Sequence, residues 1–132
     1  MAANRGHDEA QYRLGDAYEH GLYGLKRNEQ EALKWYRQAA EGGDTGAQCR
    51  FGEAYEEGEE GALGLKTDPD MALMWWKKAA EGGNIIAQWR LGVTYENGHF
   101  DVVINFKTAR TYFQDAAEGG QHYAQRRLGM GL

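Results

Sequence analysis

Four histidines and one cysteine are the side chains best suited to metal ligation or nucleophilic chemistry, and their spacing supports neither. His7, His20, His99 and His122 are scattered, with no His-x-x-x-His pair to set two imidazoles on one helical face for zinc. Cys49 has no histidine at a neighbouring helical position to activate it, and no nucleophile and base can be matched from the spacing. The acidic run Glu56-Glu57-Gly58-Glu59-Glu60-Gly61 could attract a basic segment or a divalent cation. It lacks the alternating oxygen-ligand spacing of a calcium loop, so a solvated charge run is the plainer reading. Nor is there a phosphate-cradling glycine loop. The sequence predicts no enzyme, no cofactor and no metal.

What positions these residues is a repeated unit. The string Ala-Ala-Glu-Gly-Gly occurs at Ala39–Gly43, Ala79–Gly83 and Ala116–Gly120, separated by 40 and 37 residues. An Arg-apolar-Gly string occurs at Arg13-Leu14-Gly15, Arg50-Phe51-Gly52, Arg90-Leu91-Gly92 and Arg127-Leu128-Gly129, spaced 37, 40 and 37. A period of this length marks a solenoid, in which each unit buries its core against its neighbours. Residues 1–132 are expected to form one elongated module, with repeats at about 7–43, 44–83 and 84–120 and a partial fourth over 121–132.

Composition narrows the function. No apolar run approaches the ~18 residues of a membrane span, and a net charge of −5 does not suit phosphate binding, which needs a clustered basic surface. Before residue 67 there are 8 Lys+Arg against 13 Asp+Glu, and after it 7 against 7, so all the net negative charge lies in the first half. A single cysteine forms no intrachain disulfide, and a reducing, cytoplasmic compartment is the expectation. Ala2–Gly6 reads like the end of a preceding unit and Gln121–Leu132 like the opening of another, as in a fragment of a longer array.

Each unit reads as a helical hairpin. In the first helix (helix A), Ala10, Leu14, Ala17 and Tyr18 form an amphipathic stripe, and Gly15 beside it admits close helix approach at about 1 kcal/mol of propensity. Helix B restarts at Asn28-Glu29-Gln30-Glu31, a capping box, carries Ala32, Trp35, Tyr36, Ala39 and Ala40 inward, and stops at Gly42-Gly43. The second unit repeats this with Asp68 as cap, Pro69 at the first helical position, then Ala72, Trp75, Trp76, Ala79 and Ala80. The third uses Ala109, Tyr112, Phe113, Ala116 and Ala117. From the helix A acid to the helix B cap there are 10 residues in Glu19–Asn28, 13 in Glu56–Asp68 and 10 in Glu96–Asn105. Only the middle connection carries an insertion.

The patterns Ala-x-x-x-Leu-Gly-x-x-Tyr-x-x-Gly and Ala-x-x-Trp-Tyr/Trp-x-x-Ala-Ala-Glu-x-Gly resemble the Sel1-like repeat family, a relative of the tetratricopeptide repeats. The resemblance implies an all-α fold, a right-handed α-α superhelix of three helix-turn-helix repeats plus the first helix of a fourth, serving as adaptor or scaffold. The cysteine-rich bacterial branch of the family, with a disulfide in each unit, is not matched by a chain with Cys49 alone.

In such superhelices helix A lines the concave surface. Rotation by 100° per residue from Leu14 turns Glu9, Tyr12, Asp16 and Glu19 away from the stripe. The equivalent positions are Gly46, Cys49, Glu53 and Glu56, then Ile86, Trp89, Val93 and Glu96, then Tyr123, Arg126 and Met130. The candidate partner-binding residues are therefore Tyr12, Asp16, Glu19, Cys49, Glu53, Glu56, Ile86, Trp89, Val93 and Arg126. Ile86, Trp89 and Val93 form an apolar cluster of the kind that marks interaction surfaces, unless curvature buries Trp89 as core. Carboxylates precede it, so a protein or peptide with an apolar anchor and basic flanks would suit.

Arg13, Arg50, Arg90 and Arg127 could clamp a partner's carboxylates. A residue repeated in every unit more often serves the contact every unit makes, which favours inter-repeat or helix-terminus bonding, and the Gln11, Gln48, Gln88 and Gln125 column reads the same way. The indoles of Trp75 and Trp76 read as core. Two functions stand: an interaction module with a helix A groove, or a structural spacer in a larger enzyme or complex. Self-association through the incomplete fourth repeat, around Tyr123, Ala124 and Leu128, is a further expectation.

Overall fold

A computed structural model describes residues 5–57 and 63–119. Among these residues the chain is entirely helical apart from its connections: α1 (Arg5–His20), α2 (Glu29–Glu41), α3 (Thr45–Glu57), α4 (Pro69–Glu81), α5 (Ile85–Asn97) and α6 (Phe106–Glu118), with a 3₁₀ turn at His99–Asp101. The fold class is all-α, built of helix-turn-helix repeats. The middle of the acidic insertion, at 58–61, and the segment 121–132 with Arg126 lie outside the described residues.

Local chemistry sets the helix ends. The Asn28 and Asn105 side chains accept from the backbone N–H groups of Glu31 and Thr108, and Asp68 does the same for Met71 with Pro69 at the first helical position. These are N-caps that satisfy orphan donors of the first turn. The first helix of a pair is capped too, by Asp44 on Ala47 and Asn84 on Ala87, each at 2.9 Å. Sequence reading missed those two caps, because two glycines ahead of them read only as a stop. Gly43 and Gly83 take positive φ, +107° and +92°, so the left-handed step falls on the second glycine of each pair.

Main-chain ties hold the two helices of a pair at fixed register. The cap residue of the second helix donates its N–H to the carbonyl of the tyrosine in the first: Asn28 to Tyr18 at 2.8 Å, Asp68 to Tyr55 at 2.9 Å and Asn105 to Tyr95 at 2.9 Å. The three extra residues of the middle connection leave this tie unchanged. The Ala-Ala-Glu-Gly-Gly string supplies the next ones. Its first alanine, Ala39 or Ala79, accepts from the N–H of Asp44 or Asn84, and its second, Ala40 or Ala80, accepts from the side-chain amide of Gln48 or Gln88.

The chain divides into two compact units, Met1–Trp75 and Trp76–Leu132, with the boundary inside α4. In the first, α1 packs on α2 and α2 on α3 around Ala32, Tyr36, Ala39, Ala40, Ala47, Phe51, Ala54, Leu63 and Trp75. Five alanines there let helices approach closely. At Gly15 a Cβ would lie 2.7 Å from the Tyr36 ring, which is why that position has no side chain. In the second unit α5 packs on α6, Ala109, Phe113 and Ala116 form the centre, and Gly92 meets the Phe113 ring at 2.6 Å from its would-be Cβ. Trp75 and Trp76 are both buried, as their place in the pattern predicts.

One expectation needs correction. Ala17 is fully buried, but Ala10 and Leu14 of the same proposed stripe are exposed, Leu14 at 38%. Its counterparts Phe51 and Leu91 are 0% exposed. Phe51 is covered by Arg37 of α2, whose guanidinium lies 5.3 Å from the ring centroid, and by Trp75, stacked at 5.1 Å. This position is buried by the neighbouring pair, and α1 has no described helix ahead of it.

Candidate interaction surface

A buried polar cluster joins α1, α2 and α3. Glu19, near the end of α1, is 8% exposed. One of its carboxylate oxygens accepts from the Tyr36 hydroxyl at 2.7 Å and from Arg50 Nε at 3.0 Å. The other accepts from a terminal nitrogen of Arg50, completing a bidentate, charge-assisted pair. Arg50 also lies 3.6 Å from Glu53. The sequence turns Glu19 outward; the structure turns it inward, because helix A is flanked by its own helix B on one side and by the next unit's arginine on another.

Burial pushes the Glu19 carboxyl up, but the Arg50 guanidinium and the Tyr36 hydroxyl together hold it below the usual carboxylate range. In the unfolded chain the group titrates near ~4.3, so the unfolded state takes up the proton first as pH falls. The stability supplied by the tie is complete above that value and is lost as pH falls through the lowered pKa of the folded state. Thermal midpoints measured between pH 6 and pH 3 are expected to fall more steeply in the wild type than in Glu19→Gln. Parallel slopes would show that the tie carries no linkage.

The neighbouring carboxylates are partly exposed, Asp16 with His20 Nε2 at 3.4 Å and Glu53 beside Arg50. The side chains of Asp16 on α1 and Glu53 on α3 are 42% and 46% exposed. Near them Tyr12 is half-buried, its ring against the first turn of α3 at Gly46 and 5.7 Å from the Tyr36 ring. Burial raises the Tyr12 pKa, and the negative field of Asp16, Asp44, Glu53 and Cys49 raises it further. Cys49 and Glu56 are half-buried on α3. In the first unit the structure thus brings Tyr12, Asp16, Cys49 and Glu53 together and assigns Glu19 to an internal bond.

In the second unit Ile86 is 58% exposed, whereas Trp89 and Val93 are half-buried and packed against the Ala109, Phe113 and Ala116 cluster. A second apolar group, missed in the sequence, stands at the end of the α5–α6 connection and the start of α6: Val103, Ile104 and Phe106 are 84%, 52% and 71% exposed. Lys26, Arg27 and Glu29, and Lys66, Thr67 and Pro69, occupy the equivalent positions of the other repeats. Comparing those columns would have found it.

Among the described residues, potential metal ligands gather at Asp16, Glu19 and His20, whose donor atoms lie within 4.8 Å of one another. The Arg50 charge on Glu19 opposes a cation there. No helix among the described residues is long and apolar enough to cross a membrane.

The pattern of the Sel1 repeat matches three consecutive segments, residues 8–44, 45–84 and 85–121. The chain belongs to the Sel1 repeat family. A Sel1 repeat protein from Oxalobacter formigenes is 35% identical over 94% of this chain and 89% of its own, with a TM-score of 0.84. A protective antigen present in uropathogenic Escherichia coli strains, with the same repeat fold, is 32% identical at a TM-score of 0.75. That match covers 92% of this chain and 25% of the antigen. Helicobacter pylori cysteine rich protein B, at 23% identity, shares the fold at a TM-score of 0.67 over 91% of this chain and 93% of its own. The fold is that of a Sel1-type protein-interaction module.

Within the Sel1 frame the recurring polar columns explain themselves. Gln48 and Gln88 cap the carbonyl end of the preceding helix. Arg50 ties one repeat to the next, and Arg90 lies over the Trp76 ring at 5.0 Å. Arg13 pairs with Glu9 of its own helix at 3.2 Å.

Proposed function

We propose that this chain binds a protein or peptide segment on the exposed side of its first helices, and that the first unit receives a basic part of that segment. The observation that carries this reading is the pair of half-exposed carboxylates, Asp16 and Glu53, beside the half-buried ring of Tyr12. An aromatic face next to carboxylates suits a lysine or arginine side chain, which gains Coulomb attraction and a cation–π contact together. The excess of acid over base in the first half of the chain attracts the same kind of partner.

The test is anisotropy of a fluorescein-labelled amphipathic peptide of alternating lysine and leucine, titrated with wild type, Glu53→Lys and a charge-matched control, Glu29→Lys on exposed α2. Glu53→Lys is expected to weaken binding by roughly tenfold and to flatten its salt dependence, with the control within about twofold of wild type. Equal loss in both variants would mean that only net charge is sensed, and the reading would be abandoned.

A further inference from the structure

We infer that the segment from Asp101 to Lys107, where the α5–α6 connection enters α6, is a self-association site at which a second copy of this chain docks about a two-fold axis. It is separate from the carboxylate surface of the first unit and does not rest on that reading. Val103, Ile104 and Phe106 stand 84%, 52% and 71% exposed there, and none of the three joins the apolar cluster around Ala109, Phe113 and Ala116. Their openness belongs to the position within the repeat. Lys26, Arg27 and Glu29 of the first repeat and Lys66, Thr67 and Pro69 of the second are exposed at the same places, although a further helix pair follows each of them in the chain. Among these three repeats only the third sets large apolar side chains at all three places.

The flanks specify the occupant. Asp101, in the 3₁₀ turn, stands at one end of the apolar group and Lys107, in the first turn of α6, at the other, both exposed. Among the described residues neither side chain is drawn into an ion pair. The backbone between them is extended at Val102 (φ −76°, ψ 151°) and at Asn105 (φ −148°, ψ 98°), which keeps the two charges apart along the segment. An acid, an apolar centre and a base in that order complement the same order running the other way. A two-fold axis near Ile104 sets Asp101 of each copy against Lys107 of the other, as an isologous contact requires, with the apolar side chains meeting between them. An anionic lipid surface would ask instead for base on both flanks, and Asp101 opposes it. The three side chains expose on the order of 300 Å² of apolar surface, the size of a functional patch but well below the ~800 Å² per partner of a standard stable interface. The dimer is therefore weak, with a dissociation constant on the order of 100 μM.

Sedimentation equilibrium of the whole chain at low salt, up to about 0.5 mM, reads an association of that strength. The wild type is expected to move toward twice the monomer mass as concentration rises. Val103→Lys with Phe106→Glu installs the residues that the first repeat has at those places, Lys26 and Glu29, and should stay monomeric with helicity and melting temperature unchanged. Asp101→Lys and Lys107→Glu each set like charges together at both ends of the contact, so each alone should weaken the dimer roughly tenfold. Mixed in equal amounts, these two variants should associate as well as the wild type, because opposite charges then meet at both ends. Both keep a net negative charge, so attraction between whole molecules does not produce that recovery. A wild type that stays monomeric at the highest concentration would overturn the proposal. So would association that survives Val103→Lys with Phe106→Glu, which would place the contact elsewhere, or charge variants that fail to recover on mixing.

Discussion

Arg50→Ala is expected to cost about 3 kcal/mol and to lower the thermal midpoint by roughly 10 °C, because it strands a buried carboxylate. Glu19 would keep one donor, the Tyr36 hydroxyl, in a place where water scarcely reaches. The Arg50 side chain is 17% exposed, so little of the lost attraction is recovered by solvent. The pair is also expected to be replaceable. Glu19→Leu with Arg50→Met, which removes both charges and keeps the volume, should return to within about 1 kcal/mol of wild type, since desolvation of the two ions offsets much of their attraction. Arg13→Ala, in the same column but on open surface, should leave the midpoint unmoved. Urea titrations of the four proteins decide the matter. An Arg50→Ala variant as stable as Arg13→Ala would show that the tie contributes nothing.

The second large effect is expected at the contact between Gly15 and Tyr36. Tyr36→Ala should cost about 4 kcal/mol, since it empties a fully buried ring site. Gly15→Leu should cost about 3 kcal/mol by forcing side-chain atoms into the space the ring occupies. The double variant is expected to fall short of the sum by 2 kcal/mol or so, because the leucine then fills what the alanine leaves. Strict additivity in denaturant titrations would mean that the two sites do not share that volume. Gly92 and Phe113 repeat the geometry in the second unit, so the same cycle there serves as an independent replicate.

The fold was legible because punctuation and period agree. Asn28, Asp68, Asn105 and Pro69 mark helix starts by mechanisms that act within one turn, and the paired glycines mark stops in the same way. Gly15 was legible too, since a recurring glycine on a helix flank has few uses besides close packing. The face of helix A was harder. Rotating from Leu14 assumed a single buried stripe, whereas this helix is covered on several sides. Leu14 therefore came out more exposed and Glu19 more buried than one helical wheel implies. Burial of Phe51, Arg50 and Gln48 depends on residues 8 to 31 positions away, such as Arg37, Ala40 and Glu19, and a local pattern carries no sign of them. Trp89 and Val93 sit between the two cases, half on the surface and half in the packing of α6.

The ties between helices have a consequence for synthesis of the chain. Asn28 closes onto Tyr18 across 10 residues, Gln48 onto Ala40 across 8, and Arg50 onto Glu19 across 31. The first two bonds are short-range in sequence, a topology that folds quickly and imposes little loop-closure cost. On the ribosome each pair would meet its main-chain bonds within seconds of leaving the exit tunnel, at ~5–20 residues per second. Glu19, however, must wait for Arg50. Until that arginine emerges, the nascent first pair carries an unneutralised carboxylate at its growing edge. That charge keeps the edge wet and discourages premature association with other nascent chains.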